Sequence, residues 1–290
     1  MTFRSRLKRP ARVVLVVVIL LQARDGHGQS RELHYDARVD LSVTVAATAG
    51  WFGAELFASD LARQRCLWCD RNADGSDALN GLDAGLRNHL KWSHAGAANT
   101  ISYVTAYGLA PLGAFSLTAL FARQQHRLDN FPVDALLIAE ATALTAAATQ
   151  IVKFSIRRER PFVHVLAPES KSKTGRPDDN NTSFFSLHTS VAFSLAVSSA
   201  TVASLRGYRH VGWLWGVGLA VAAATGYLRI AADKHYFTDV AAGAIVGSSV
   251  GFAVPYFCHR PFATSPADDA IRVLALPLPD GARLAAFYRW

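Results

Sequence analysis

Apolar residues fall in long blocks separated by short polar knots, and that pattern predicts helices. Residues 41–58 form a mildly apolar first helix with Glu55 inside it. Residues 82–92 place Leu82, Leu86 and Leu90 on one face, the mark of a short amphipathic helix. Residues 101–122 are long, apolar and uncharged, a second main helix with Pro111 as its kink point. Residues 133–152 make a third, carrying Asp134 and Glu140. A fourth opens within 183–190 and runs to about residue 205. Two more, 211–227 and 240–254, flank a polar stretch at 226–239. Pro161 ends any helix at or before Arg160. The pattern changes after Pro255. Two short runs surround Pro279-Asp280-Gly281, which reads as a small hairpin or an extended tail. The expected fold is all-α, a six-helix bundle.

Composition leaves that bundle between a soluble and a membrane-embedded form, and helix length decides for the membrane. Of 290 residues, 51% are hydrophobic and 18% charged, with a mean hydropathy of +0.16. That is rich for a soluble chain and modest for a polytopic one. Apolar stretches of helical length favour embedding. The net charge of +8 is uneven, because residues 1–29 hold +5 of it. The remainder offers no case for a nucleic-acid partner. Five basic residues precede the nine-residue apolar run 13–21, which is too short to span a bilayer. Residues 1–30 are therefore expected to be a signal peptide or an N-terminal anchor. The helical domain covers 31–257 and the tail 258–290. Cys66 and Cys69 lie three apart, and a local disulfide is the leading reading in an exported chain. A redox pair and half of a zinc site are the alternatives, although no further ligands stand nearby. Cys258 is expected to be a buried free thiol.

Candidate chemistry sits in the knots 153–161, 183–190 and 229–239. In an antiparallel bundle all three fall at one end, so Lys153, Arg160, His188, Arg229, His235 and Asp239 converge. Lys153, Arg160 and Arg229 suit a phosphoryl group. The amides that open the helix near Ser186 add donors for an anion. Two histidines can divide nucleophile and acid roles. His235 and Asp239 are four apart, so the carboxylate is placed to hold one ring nitrogen. Other residues receive plainer readings. His164 lines a loop, and Arg157 and Arg158 form a solvated face or touch membrane or substrate. Asp233 and Lys234 cap or pair locally, and Glu140 pairs with another helix. His89, His94, His126, His210 and His259 have no constellation around them.

These blocks resemble the type 2 phosphatidic acid phosphatase (PAP2) superfamily, which also holds class A acid phosphatases and vanadium haloperoxidases. The family pattern is Lys, six residues, Arg-Pro; then Pro-Ser-Gly-His; then Ser-Arg, five residues, His, three residues, Asp. It appears here as Lys153…Arg160-Pro161, Phe185-Ser186-Leu187-His188 and Leu228-Arg229…His235…Asp239. The resemblance implies a PAP2-type bundle and a phosphatase needing no metal or other cofactor. By that likeness His235 attacks phosphorus and becomes a phosphohistidine, and Asp239 orients it. His188 protonates the leaving oxygen and then activates water. Lys153, Arg160, Arg229, Ser186 and the Leu187 amide hold the phosphoryl oxygens.

The expected partner is a phosphorylated membrane lipid, with small phosphoesters as the alternative for a soluble periplasmic enzyme. Phe185, Leu187 and Leu228 replace the family's Pro, Gly and Ser. Leu187 matters most, since it leaves room for a catalytically impaired lipid-binding protein. Basic turns at 123–127, 206–209 and Arg260 point to the cytoplasm, which puts the site in the periplasm of a bacterial-type envelope. A cleaved signal followed by six spans implies the reverse. Retention of the basic N-terminus, a first helix that does not cross, or a periplasmic bundle would each remove that conflict.

Overall fold

A computed structural model describes residues 31–62 and 65–261, together with the backbone of 272–278 and 281–287. The expected signal or anchor at 1–30 lies outside the described residues. Two units separate, and the larger, Gly26–Pro261, carries all the helices described below. They are α1 (Ala37–Leu56), α2 (Gly81–Leu90), α3 (Ala95–Gln124), α4 (Phe131–Ile156), α5 (Leu187–Arg206), α6 (Val211–Ala231) and α7 (Phe237–Ala253). In the other unit Arg272–Leu278 pairs antiparallel with Gly281–Phe287.

Local chemistry explains most helix ends. Asp36 caps α1 by accepting from the Arg38 and Val39 amides. Asn80 caps α2 by accepting from the Asp83 amide. Arg157 ends α4 in the left-handed region, and Gly207 does the same for α5. The helix α3 begins at Ala95, six residues before the apolar run that announces it, because Ala-Gly-Ala-Ala extends it N-terminally. Pro111 acts through a π-helical turn at Thr105–Leu109, one turn upstream.

Helix α5 is the axis of the bundle and packs against α3, α4, α6 and α7, while α1 packs on α4. Almost all of α5 is buried, although it is rich in serine and threonine. Those hydroxyls return to their own helix: Ser190 donates to the Leu187 carbonyl and Thr201 to the Val197 carbonyl. Thr145 and Thr149 of α4 meet Ser194 and Ser190 across the interface at 3.0 Å. On the opposite side Gly243, Gly247 and Gly251 of α7 face Ser186, Ser190 and Ser194. A Cβ at Gly243 or Gly251 would lie 2.9 or 2.8 Å from a serine carbonyl oxygen. One at Gly247 would fall directly on that of Ser190. Small residues thus bring two backbones together at a spacing that larger side chains forbid. This contact sets the height of the α5 N-terminus against that of α7.

Five helical stretches are long and apolar enough to cross a membrane: Ala95–Gln124, Leu128–Ile156, Leu187–Arg206, Val211–Ala231 and Phe237–Cys258. The helix α1 is not among them. Its inner side carries buried Asp40, while Val39, Leu41, Val45, Phe52 and Leu56 point outward. Cys258 is exposed rather than buried, at the end of the π-helical turn Val254–Cys258 that follows α7.

Gly247→Ala is expected to lower stability in detergent by about 1–3 kcal/mol through overpacking. Gly50→Ala, where a Cβ meets nothing within 4 Å, is expected to be neutral or stabilising. Thermal unfolding of both variants measures this; equal Tm values would refute the close α5–α7 contact.

Candidate functional site

At one end of the bundle the C-terminal turn of α4, the N-termini of α5 and α7, the end of α6 and two loops meet. His235 lies in the short loop between α6 and α7, 2% exposed. Its Nδ1 is 2.7 Å from the Ser183 carbonyl, so Nδ1 carries the proton and donates there. Nε2 is left with its lone pair, 3.3 Å from Arg160 Nη1. Burial first, and then the charges of Arg160, Arg229 and Lys153, press the His235 pKa well below the usual imidazole range. The ring is therefore neutral at neutral pH.

Asp239 lies 3.8 Å from His235 Nδ1, beyond hydrogen-bonding distance. The sequence spacing suggests a direct bond, but both oxygens are committed elsewhere. Oδ1 accepts from Arg158 Nη1 at 2.7 Å. Oδ2 accepts from Ser183 Oγ at 2.6 Å and from the Tyr236 amide at 2.9 Å. Asp239 thus holds Ser183, whose carbonyl holds the imidazole.

The three cations differ in how they are compensated. Arg160 donates to the Asp179 carbonyl and carboxylate, to Thr182 and to the Lys234 carbonyl. Burial alone would raise the Asp179 pKa, but Arg160 and Lys153 outweigh it and hold the group at about 2. Arg229 has only neutral partners, Asn99 and Ser102 of α3, each 2.8 Å from Nη1. Its Nε is buried without a hydrogen bond. Lys153 is buried and forms no ion pair among the described residues. Lys234 borders the site with Nζ 4.1 Å from the Phe162 ring centre, its pKa lowered to about 8 by burial and then by Arg160.

His188 opens α5 with its ring edge-on to Tyr103 and Tyr107, and its Nε2 is buried with no partner. Ser186 caps α5 by accepting from Thr189 Oγ1 at 2.9 Å, and its own amide donates to the Asp239 carbonyl. Leu187 is the first helical residue, and positive φ values occur elsewhere, so leucine costs no backbone strain there. Its amide has no intrahelical acceptor, as at any helix start. Lys153, Arg160, Arg229, His188, His235 and Asp239 are thus gathered as expected, with Ser186 serving the helix cap.

Several residues that hold the site lack a recognisable signal in the sequence. Arg158 is fully buried rather than solvated, and it binds Asp70, Asp83 and Asp239 at 2.7–3.0 Å. Trp68 and Tyr236 cover its guanidinium at 4.1 and 4.3 Å. Asp83 also accepts from the Thr238 amide and hydroxyl at the start of α7. Asp233 pairs with Arg87 through both oxygens and with Lys91, so it pins the His235 loop to α2 and makes no local cap. His164 is buried between Glu159 and Asp77 and belongs to an ion network rather than a plain loop. Cys66 and Cys69 form a disulfide in the loop before α2, where the backbone at Leu67 and Trp68 bonds to the Arg157 carbonyl. Only the long-range partners reveal these roles.

The family model of the PAP2 superfamily matches residues 134–262. That segment belongs to the PAP2 superfamily. It runs from the first turn of α4 through the end of α7 and contains every candidate residue of the site. No curated protein and no solved structure matches the chain. The PAP2 match places the segment in a superfamily of phosphatase type. Helices α2 and α3 lie before it, yet they supply Asp83, Arg87, Asn99, Ser102, Tyr103 and Tyr107 to the walls of the site.

Arg158→Ala strands three buried carboxylates, and it is expected to cost about 3–5 kcal/mol of stability. Arg176→Ala removes an exposed pair with Asp178 and is expected to stay within about 0.5 kcal/mol. Thermal unfolding decides the point; a small effect at Arg158 would contradict its central place.

Proposed function

We propose that the chain is a phosphatase that hydrolyses a phosphomonoester or pyrophosphate of a membrane lipid through a phosphohistidine on His235. The observation that carries this reading is uncompensated positive charge. Lys153, Arg160 and Arg229 are buried at one site, where Asp179 pairs with Arg160 and, among the described residues, no carboxylate pairs with Lys153 or Arg229. Buried charge is costly without a counter-ion. A phosphoryl dianion supplies that counter-ion and accepts from both guanidinium groups.

Each half-reaction uses groups already in position. His235 Nε2 forms a bond to phosphorus as the bond to the leaving oxygen breaks. Protonated His188 gives its Nε2 proton to that oxygen. Neutral His188 then takes a proton from water, whose oxygen attacks phosphorus. The P–N bond breaks, phosphate leaves, and His235 regains its lone pair. Lys153, Arg160, Arg229 and the first amides of α5 stabilise charge on the equatorial oxygens. Asp239 acts through Ser183 and by its charge on the phosphorylated ring.

Five membrane-length helices and outward apolar side chains support a lipid substrate over a soluble one. Tyr103 and Tyr107 stand beside His188, and Trp51 of α1 stacks on Tyr107. This aromatic wall suits the first carbons of an acyl or prenyl chain. Basic turns at the far end support a site facing the periplasm. The helix α1 passes from that far end to Gln150 near the site, where Glu55 accepts a hydrogen bond at 2.5 Å. In that orientation residue 37 starts on the cytoplasmic side, which agrees with a retained basic N-terminus.

Phosphate release should be measured over lipid and soluble phosphates in detergent micelles. Lipid substrates are expected to show the higher kcat/KM, and His235→Ala is expected to lose about 10³-fold or more in kcat. Unchanged turnover in His235→Ala would overturn the assignment. Preference for small phosphoesters, with release of the protein by carbonate, would favour a soluble periplasmic phosphatase.

A further inference from the structure

A second buried cluster lies at the opposite end of the bundle. Asp40 of α1, Glu140 of α4 and His259, just past α7, each bring one ligand atom within 4.8 Å of the others. Glu140 is 13 residues before Lys153 on α4, which puts the cluster about 20 Å from the phosphate site. All three residues are more than nine-tenths buried, with exposures of 6%, 6% and 3%. We propose that they bind one divalent first-row transition-metal ion, which clamps α1 to α4 and to the end of α7.

Three observations point to a cation. First, His259 Nδ1 faces the His34 carbonyl at 3.0 Å. That contact places the ring proton on Nδ1 and leaves the Nε2 lone pair toward the carboxylates. A carbonyl acceptor behind the ring is the usual support of a metal-bound histidine. Second, His259 Nε2 and Glu140 Oε2 are buried without a hydrogen bond, although 3.3 Å apart. Two polar atoms thus face the same space with no satisfactory partner. Third, the charge does not balance. Asp40 uses Oδ2 to accept from the Asp36 amide. Among the described residues no lysine or arginine forms an ion pair with Asp40 or Glu140. Two buried carboxylates without a cation are costly, and a divalent ion brings the sum to zero.

The ligand types narrow the ion. An imidazole beside two carboxylates suits zinc or manganese better than calcium or magnesium, which favour all-oxygen shells. Water would complete the coordination. The ion is structural, since it is remote from the phosphoryl chemistry. The competing arrangement is a proton, giving an imidazolium held between two carboxylates.

The full chain, carrying no polyhistidine tag, should be stripped with chelator in detergent and titrated with Co²⁺, Zn²⁺ and Mn²⁺. One equivalent of Co²⁺ is expected to give visible ligand-field bands. Saturating Zn²⁺ or Mn²⁺ is expected to raise Tm by roughly 5–10 °C. Glu140→Gln and His259→Ala are expected to lose both signals, and His188→Ala to keep both. The wild-type spectrum decides binding even where a variant folds poorly. Absence of bands and of any Tm shift would overturn the proposal. So would bands that persist in His259→Ala, or a doubly protonated His259 ring by NMR at pH 7 with Zn²⁺ present.

Discussion

The geometry of the candidate site depends on one buried guanidinium. Arg158 stands where the loop after α4, the loop before α2, helix α2 and the start of α7 meet. Its three carboxylates, Asp70, Asp83 and Asp239, come from three separate parts of the chain. Burial works against the charge of Arg158, and Asp239, Asp83 and Asp70 outweigh it, so its pKa is raised. None of these groups can leave without stranding the others. Arg158 therefore holds Asp239, Asp239 holds Ser183, and Ser183 holds the imidazole of His235. The nucleophile proposed here is positioned at third hand by an ion network that does not itself touch the phosphoryl group.

A second constraint sets the other half of the site. Close approach of α5 to the glycine face of α7 aligns the N-termini of the two helices. The Ser186 amide reaches the Asp239 carbonyl because the backbones are that close. His188 and the open amides of α5 then face the chamber that holds Lys153, Arg160 and Arg229. Polar residues at this end are tied to one another, and the cations keep part of their charge unmatched. Two groups of the same cluster thus differ in charge balance: Arg158 is surrounded by protein carboxylates, while Lys153 and Arg229 have none paired to them among the described residues.

Much of this was legible in the sequence. Long apolar blocks predict the main helices, and three ordered polar knots predict which end gathers Lys153, Arg160, His188, Arg229 and His235. The boundary of α3 was not legible, since Ala95–Thr100 has neither a strong cap nor an apolar stripe, and with it went the support that Asn99 gives Arg229. Arg158 was misread as solvated because its position among basic residues looks like a surface run. Its burial depends on Asp70 and Asp83, 88 and 75 positions away. His259 was misread for the same reason, as Asp40 and Glu140 are distant in the chain. Spacing identifies groups that act on one ligand from neighbouring turns, but it is silent on partners brought in by tertiary contacts.

The central claim is that the unmatched charge of the chamber serves a phosphoryl group passing through His235. Rapid acid-free quenching of the full chain with a labelled phosphate ester, followed by mass mapping of the modified peptide, tests this most directly. The account predicts a base-stable, acid-labile phosphate on His235 that builds up within the first turnover. Normal turnover with no covalent phosphate, or a phosphate found on another residue, would contradict it.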